Sequence, residues 1–575
     1  MRKKLLLSLL LIGNILSAQT LPEPDALRRD IEKNFEKLQS DSLKDISPDD
    51  KIKIPVETQQ KSDENISNKA SVDTEVVLKS FLLKGNTIVT DEEIHQRLEP
   101  LINKNIAFKK LKEVVSIIQR LYVDKGYIAK IYFPEQKISD GRVQVSIIEA
   151  KRGNVTKNPL STSQMPEIKL QEYVDAKLRD GDLLNTIELY RAITILNELD
   201  GLRASSSLVK GIDDNSIDIS IKADLKEKYT FFTSVDNYGT KYLGVVQNFI
   251  SFGINDLLNY GLHDKLALST MISSGNKMGS LYYRFPVGTN GLKAGLNISR
   301  LTYSLGKDFE PLDIGGSSFS KGIHLNYPII NANGSRLNIE VEYDEIRSQS
   351  NAKEVETSNK TVRHAKTSLN FSNKDSFLSG AINQLHLMYV HGDLNINNDA
   401  EKLADLISAN TDGAFSKLEF GYLREQKIDD QFELSFYFNT QKAFNNLNSG
   451  EKIALGGPHS IRAYPNGEIS GDDGYFYNVD LKYRITNNFT GSIFYDYGRI
   501  KRDHQVWSNE ASVQVQRISL DAAGAGLLYE DAHGFGAKIE FATKINSNEA
   551  QDANGNDSDG KNNKYRVWLS ARYNF

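Results

Sequence analysis

Residues Tyr565 to Phe575 constrain this chain more tightly than any other stretch of it. Tyr565, Val567, Leu569, Ala571, Tyr573 and Phe575 occupy every second position, with Arg566, Trp568, Ser570, Arg572 and Asn574 between them. A strand sends alternate side chains to opposite faces. One face is therefore apolar with aromatic ends, and the other is mainly polar. The same alternation sets Tyr475, Tyr477, Val479, Leu481 and Tyr483 against Phe476, Asn478, Asp480, Lys482 and Arg484. It also sets Phe535, Ala537, Ile539 and Phe541 against Lys538 and Glu540. Through residues 226–575 helical spacing nearly vanishes, and short alternating segments recur between clusters of Gly, Asn, Asp and Ser. A soluble sheet of this kind needs a second layer over its apolar faces, and no helices are available to supply one. A closed barrel in lipid satisfies every backbone group and leaves no edge. The zone reads as about 16 antiparallel strands, an even number that suits single-chain bacterial barrels. Such a barrel encloses a lumen wide enough for water, so something must fill it at rest.

Composition agrees with this reading. The chain has 575 residues, 25% of them charged, and a mean hydropathy of -0.43. That value excludes a bundle of membrane helices but not a barrel, in which only alternate residues meet lipid. The net charge of -5 comes from 70 basic and 75 acidic residues interspersed with one another, which gives no footprint for nucleic acid. The absence of cysteine removes disulfides, thiolate metal sites and cysteine nucleophiles together. Arg2, Lys3 and Lys4 precede the apolar run Leu5 to Leu16, and Ser17 and Ala18 are small. Residues 1–18 read as a secretory signal cleaved after Ala18, with an N-terminal membrane anchor as the competing reading.

The mature chain divides into four zones. Residues 19–74 hold a helical pattern from Asp25 to Gln39 and then a polar linker from Ser40 to Asp73. Leu27, Ile31, Phe35 and Leu38 fall near one face of that helix. Residues 75–152 read as strand, helix, helix, strand, strand: Val76 to Leu83, Thr90 to Leu101, Phe108 to Lys125, Ile128 to Pro134 and Arg142 to Glu149. Thr90 and Glu93 form a capping box. In the second helix Leu111, Val115, Ile118, Leu121 and Tyr122 recur at helical spacing, and Gly126 stops it. Residues 153–225 repeat the order, with helices Lys169 to Lys177 and Thr186 to Asn197 and strands Leu202 to Val209 and Ser216 to Ala223. Two consecutive units of one pattern are an internal repeat. Residues 226–575 are the barrel.

Several runs then resemble one family. Leu83-Lys84-Gly85-Asn86-Thr87, followed by Asp91-Glu92-Glu93, is similar to the opening of a POTRA module. Asp236-Asn237-Tyr238-Gly239 looks like the family's first barrel strand. Leu455-Gly456-Gly457-Pro458-His459-Ser460-Ile461-Arg462-Ala463-Tyr464-Pro465, continuing to Gly474, is similar to the tip of a long loop (455–474) that folds back into the lumen. Gly491-Ser492-Ile493-Phe494-Tyr495-Asp496-Tyr497-Gly498 is similar to the strand that faces this tip. The family is the translocators of two-partner secretion (TpsB-type, ShlB/FhaC/HecB, hemolysin activation/secretion), and the likeness covers nearly the whole mature chain. It implies two α+β POTRA domains, an N-terminal plug helix built on Leu27, Ile31, Phe35 and Leu38, and a functional loop tip at Ile461, Arg462, Ala463 and Tyr464. Many members carry glycine where Ala463 stands, so a less flexible tip is expected here. In the family an inward acid meets the loop arginine. Alternation independently turns Ser492, Phe494 and Asp496 inward, so Asp496 and Phe494 are the expected lumen partners of Arg462. Such a pair in a partly wet lumen is worth roughly 1–3 kcal/mol. The strand ending at Tyr573 and Phe575 is the expected C-terminal barrel strand.

The resemblance further implies export of a cognate secreted exoprotein with an N-terminal secretion domain, of adhesin or hemolysin type, without ATP (type Vb secretion). Outer-membrane lipids, periplasmic chaperones and the barrel-assembly machinery are the other implied partners, with no nucleic acid and no cofactor. The rival reading is a BamA/TamA-like assembly factor, which usually carries more than two POTRA modules. A passive porin is disfavoured by the periplasmic repeat, and an outer-membrane lipase by the lack of a nucleophile–histidine pair on a strand. Gly555-Asn556-Asp557-Ser558-Asp559-Gly560-Lys561-Asn562 nearly matches a phosphate-binding loop. However, Asn562 replaces the magnesium-binding hydroxyl, and no helix follows. It reads as an outer loop tip without the register of an EF-hand. His459-Ser460 has no partner acid at a meaningful spacing. No catalysis and no metal site are expected.

Overall fold

The computed structural model describes residues 23–43, 75–107, 111–136, 140–213, 215–332, 334–507 and 515–575. The signal expected at 1–18 and the linker from residue 44 lie outside them. Among the described residues no helix is long and apolar enough to cross a membrane.

Two small α+β units precede the barrel. In the first, the segment read as one strand divides into Glu75–Val77 and Ser80–Lys84 because it changes partners. Glu75–Val77 pairs with Asn105–Ala107, and Ser80–Lys84 runs parallel to Arg142–Glu149, which pairs antiparallel with Ala129–Tyr132. Thr90 caps the helix Asp91–Leu98. Its hydroxyl accepts from the Glu93 N–H at 3.3 Å, and the Glu93 carboxylate accepts from the Thr90 N–H at 3.0 Å. The α-helix ends earlier than the apolar spacing suggests, because Pro100 has no N–H to continue the ladder and Glu99–Leu101 closes as a 3-10 turn. In the next helix, Leu111–Asp124, the innermost residues are Val114, Ile118 and Tyr122, with Val115 and Leu121 only partly covered.

The second unit repeats the topology. Lys151–Lys157 runs parallel to Ser216–Leu225, which pairs antiparallel with Leu202–Lys210. Helices Glu167–Asp175 and Thr186–Asn197 cover one face, burying Leu170, Val174, Leu189, Ile193 and Leu196.

The rest is a closed barrel of 16 antiparallel strands. The first, Tyr229–Asp236, meets the last, Tyr565–Asn574, with Phe232 opposite Asn574 and Asp236 opposite Ser570. Asn237 to Gly239 lie beyond the strand's end, although the Asn237 N–H still donates to the Leu569 carbonyl and its side-chain Oδ1 accepts from the Leu569 N–H. Val567 and Leu569 are exposed on the outside, whereas Trp568 is buried inside. The wall is uneven in height. Four consecutive strands, Ile314–Ala332, Ser335–Ala352, Val355–Asp375 and Ala381–Ile396, have 19, 18, 21 and 16 residues, against roughly 9–11 needed to cross a bilayer. Aromatic pairs ring the end that carries the small units: Tyr229–Phe252, Phe432–Tyr483 and Phe489–Tyr529. That is where interfacial girdles belong.

Candidate functional site

The loop between the eleventh strand, Phe432–Ala443, and the twelfth, Asp473–Arg484, turns back into the lumen. A short hairpin, Ile453–Leu455 with Ile469–Gly471, forms its stem. Two glycines shape it. Gly456 has φ +103°, and a Cβ there would lie 2.2 Å from the Pro465 carbonyl oxygen. Gly467 has φ +63°, and a Cβ there would lie 2.2 Å from the Asp30 carboxylate on the N-terminal helix. Ala463 is fully buried and its φ is not left-handed, so nothing in its backbone asks for glycine.

At the tip, Ile461, Arg462, Ala463 and Tyr464 are all buried. Arg462 is enclosed by three acids from three strands. Its Nη2 lies 2.6 Å from Asp496 Oδ1, and its Nη1 lies 2.8 Å from Asp480 Oδ1 and 2.9 Å from Glu540 Oε1. Its Nε donates to Asp496 Oδ2 at 2.9 Å, and its backbone N–H donates to the same oxygen at 3.0 Å. The guanidinium stacks 3.4 Å over the Phe494 ring. Its carbonyl accepts from Trp568 Nε1 at 2.7 Å, and Asn478 donates to Asp496 at 2.7 Å. The structure thus brings Arg462, Asp496 and Phe494 together. Sequence reasoning missed Asp480, Glu540 and Trp568 as members of this cage. Alternation had already turned all three inward, but nothing in the sequence tied them to Arg462.

The helix Pro24–Leu43 also lies in the lumen. Leu27, Ile31, Phe35 and Leu38 pack on inward residues including Phe249, Met271, Met278, Leu301 and Tyr303. Phe35 meets Phe249 edge-on at 5.4 Å. The opposite face is polar. Asp25 pairs with Lys360 at 2.5 Å, and Lys360 also holds Glu401 at 2.8 Å. Arg29 donates to the Ser449 carbonyl at 3.0 Å, so helix and loop touch. Behind the loop, His364 bridges Asp344 and Glu451 at 3.0 and 3.1 Å.

The Asp/Asn-rich stretch read as an outer loop tip lies between the last two strands and is tied down there. Asp557 is paired with Lys544 at 2.6 Å and accepts from Asn548 at 2.9 Å, and the Ser558 N–H donates to Glu468 of the long loop at 2.9 Å. An ammonium already occupies the carboxylate that a cation would need. His459 and Ser460 are absorbed by the loop itself. The His459 ring abuts Tyr238 at 5.5 Å, and Ser460 donates to the Gly456 carbonyl at 3.0 Å.

The second unit is fastened to the barrel mouth. Asp200 accepts from Arg284 Nε at 3.0 Å, Lys293 donates to the Glu198 carbonyl at 2.5 Å, and His263 bridges Ser163 and the Asp200 carbonyl at 2.9 and 3.0 Å. Burial pushes the Asp200 carboxyl up, but the charges of Arg284, Lys293 and Lys265 and the Arg284 hydrogen bond together outweigh it and hold the group below its ordinary range.

A closed barrel filled by its own helix and loop, with α+β units fixed at one mouth, defines an outer-membrane transporter of the POTRA-barrel class. Residues 215–527 match the model of the haemolysin secretion/activation protein family ShlB/FhaC/HecB, and residues 76–150 match the ShlB-type POTRA domain. The chain belongs to the ShlB/FhaC/HecB family of two-partner secretion transporters. It is 23% identical over 474 residues to the heme/hemopexin transporter protein HuxB of Haemophilus influenzae, covering 81% of this chain and 83% of that one. It is 21% identical over 444 residues to the outer membrane transporter CdiB of Dickeya dadantii, covering 74% and 76%. Among solved structures, CdiB from Escherichia coli superposes with a TM-score of 0.68 at 16% identity, over 97% of this chain and 100% of that one. BamA from Haemophilus ducreyi shares the fold more distantly, with a TM-score of 0.51 at 13% identity over 87% and 100%.

Proposed function

We propose that this barrel exports a cognate secreted protein of adhesin or hemolysin type across the outer membrane, in an extended form and without ATP. One observation carries the reading: the lumen is filled by an element that connectivity leaves free to withdraw. The helix Pro24–Leu43 precedes the first unit in the chain, so it can leave the lumen toward the units without unthreading any strand. The units lie in the periplasm, capture the partner's N-terminal secretion domain and displace the helix. The Arg462 cage holds the loop tip on the wall and shapes the conducting path. The periplasm supplies no ATP. Folding outside, worth about 5–15 kcal/mol per domain, makes return unfavourable. The outer-membrane placement of family members and the transporter relatives support this reading. Chaperones and the assembly machinery deliver the barrel to its lipid.

The experiment is deletion of the gene followed by comparison of the culture medium. Loss of one large secreted protein, restored by complementation, is the expected result. An unchanged medium, with defects in other barrels instead, overturns the proposal in favour of an assembly factor.

A further inference from the structure

The outward apolar face of the barrel does not stop where the strands stop. On the second and third strands, Gln247–Asn255 and Lys265–Ile272, the residues Ile250, Phe252 and Leu268 face outward and are exposed. The connection between these strands closes with a 2.7 Å bond from the Asp256 N–H to the Asp264 carbonyl. It carries the apolar series onward. Leu258 and Leu262 are exposed, and Tyr260 is 79% exposed. Asp256, Asn259 and His263 adopt left-handed backbone here, so the shape of this turn is set by its own chain. The second unit abuts it directly. Gly261 lies so close to Met165 that a Cβ there would come within 2.3 Å of the Met165 Cα, and His263 meets Ser163 as described. On either side of this contact the second unit exposes Leu160 (76%) and Ile168 (59%). Lys228, which donates to Asn259 at 3.0 Å, places a cation beside the turn.

We propose that Leu258, Tyr260 and Leu262, together with Leu160 and Ile168 of the second unit, form a ledge that rests in the interfacial layer of the membrane leaflet nearest the units. The occupant is phospholipid. The ledge continues a surface that already faces acyl chains, it ends in a tyrosine, and it is flanked by lysine. Tyrosine and lysine are the side chains that settle at headgroup depth. The Asp200–Arg284 junction fixes the unit's position on the barrel, and the ledge fixes its tilt against the bilayer.

The chain has no cysteine, so single probes report cleanly. Ile168→Cys and Leu160→Cys, each carrying an environment-sensitive fluorophore, are reconstituted in phosphatidylethanolamine and phosphatidylglycerol vesicles containing lipids brominated near the headgroup. Ile212→Cys, in the hairpin turn at the other end of the unit's sheet, is the reference. Quenching at positions 168 and 160 several-fold stronger than at 212 is expected. The substitutions Leu258→Ser and Tyr260→Ser together should lower it toward the reference while the barrel keeps its heat-modifiable gel migration. Quenching equal to that at 212 overturns the proposal, as does quenching that the double substitution leaves unchanged. Probes unquenched in vesicles but shielded in intact cells overturn it as well, and assign the surface to a soluble protein.

Discussion

The loop tip and the N-terminal helix sit in the same lumen by different means. The tip buries a charge: Arg462 is enclosed by Asp496, Asp480 and Glu540 and roofed by Phe494. The helix buries a stripe of hydrocarbon on one face and, on the other, charges paired with one another and with the wall, as Arg28 with Glu32 and Asp25 with Lys360. A charge cage resists removal of any member, because the survivors are stranded in a dry place. An apolar stripe gives no such directionality, so the helix takes its register from its ion pairs, such as Asp25 with Lys360. The two parts therefore differ in how they are held: the tip sets one arginine among three wall acids, whereas the helix combines an apolar stripe with ion pairs.

The largest effect that would break this contrast is at Arg462. Arg462→Ala leaves Asp496 buried without a counter-charge, with Glu540 keeping only Lys538, at a cost of about 3–5 kcal/mol. Protease sensitivity within the 455–474 loop should appear, and secretion should fall severely. Arg462→Asp should be worse. Adding Asp496→Arg should restore it only in part, because Asp480 and Glu540 were set to face a cation at the loop. Full rescue by that single change would mean that the pair alone matters and the cage does not.

A smaller effect belongs to the helix. Phe35→Ala should weaken its seat by about 3 kcal/mol, the low end for such a truncation, since the helix can shift on the wall to close part of the gap. The expected readout is more frequent opening in planar-bilayer recordings with secretion retained. Closed channels after Phe35→Ala would show that ion pairs, not the stripe, hold the helix.

The smallest effect is at the junction. Asp200 has a lowered folded pKa, so its contribution is present above the ordinary carboxyl value of about 3.9 and is lost as pH falls through the lowered one. Amide exchange in the second unit should rise only in that acid window. Loosening near neutral pH would remove Asp200 as its cause.

The strand count, the repeat and the inward direction of Asp496 were legible because alternation and helical spacing are local signals. The apolar stripe of the helix was legible for the same reason. The cage was not, because Asp480, Glu540 and Trp568 reach Arg462 only once the wall has closed. The split at Leu78 was hidden for a like reason: no local propensity announces that a segment will change neighbours. The anchoring of the loop around Asp557 was hidden because Glu468, which accepts from the Ser558 N–H, lies 90 residues away in the chain.

The tall strands between Ile314 and Ile396 give the exit a handedness. A strand of 21 residues is roughly 70 Å long, whereas the first strand has eight residues and stops near the lipid. On the export reading proposed above, a polypeptide leaving by this mouth meets a parapet on one flank and open water on the other, and its first segments to fold do so in the lee of that wall.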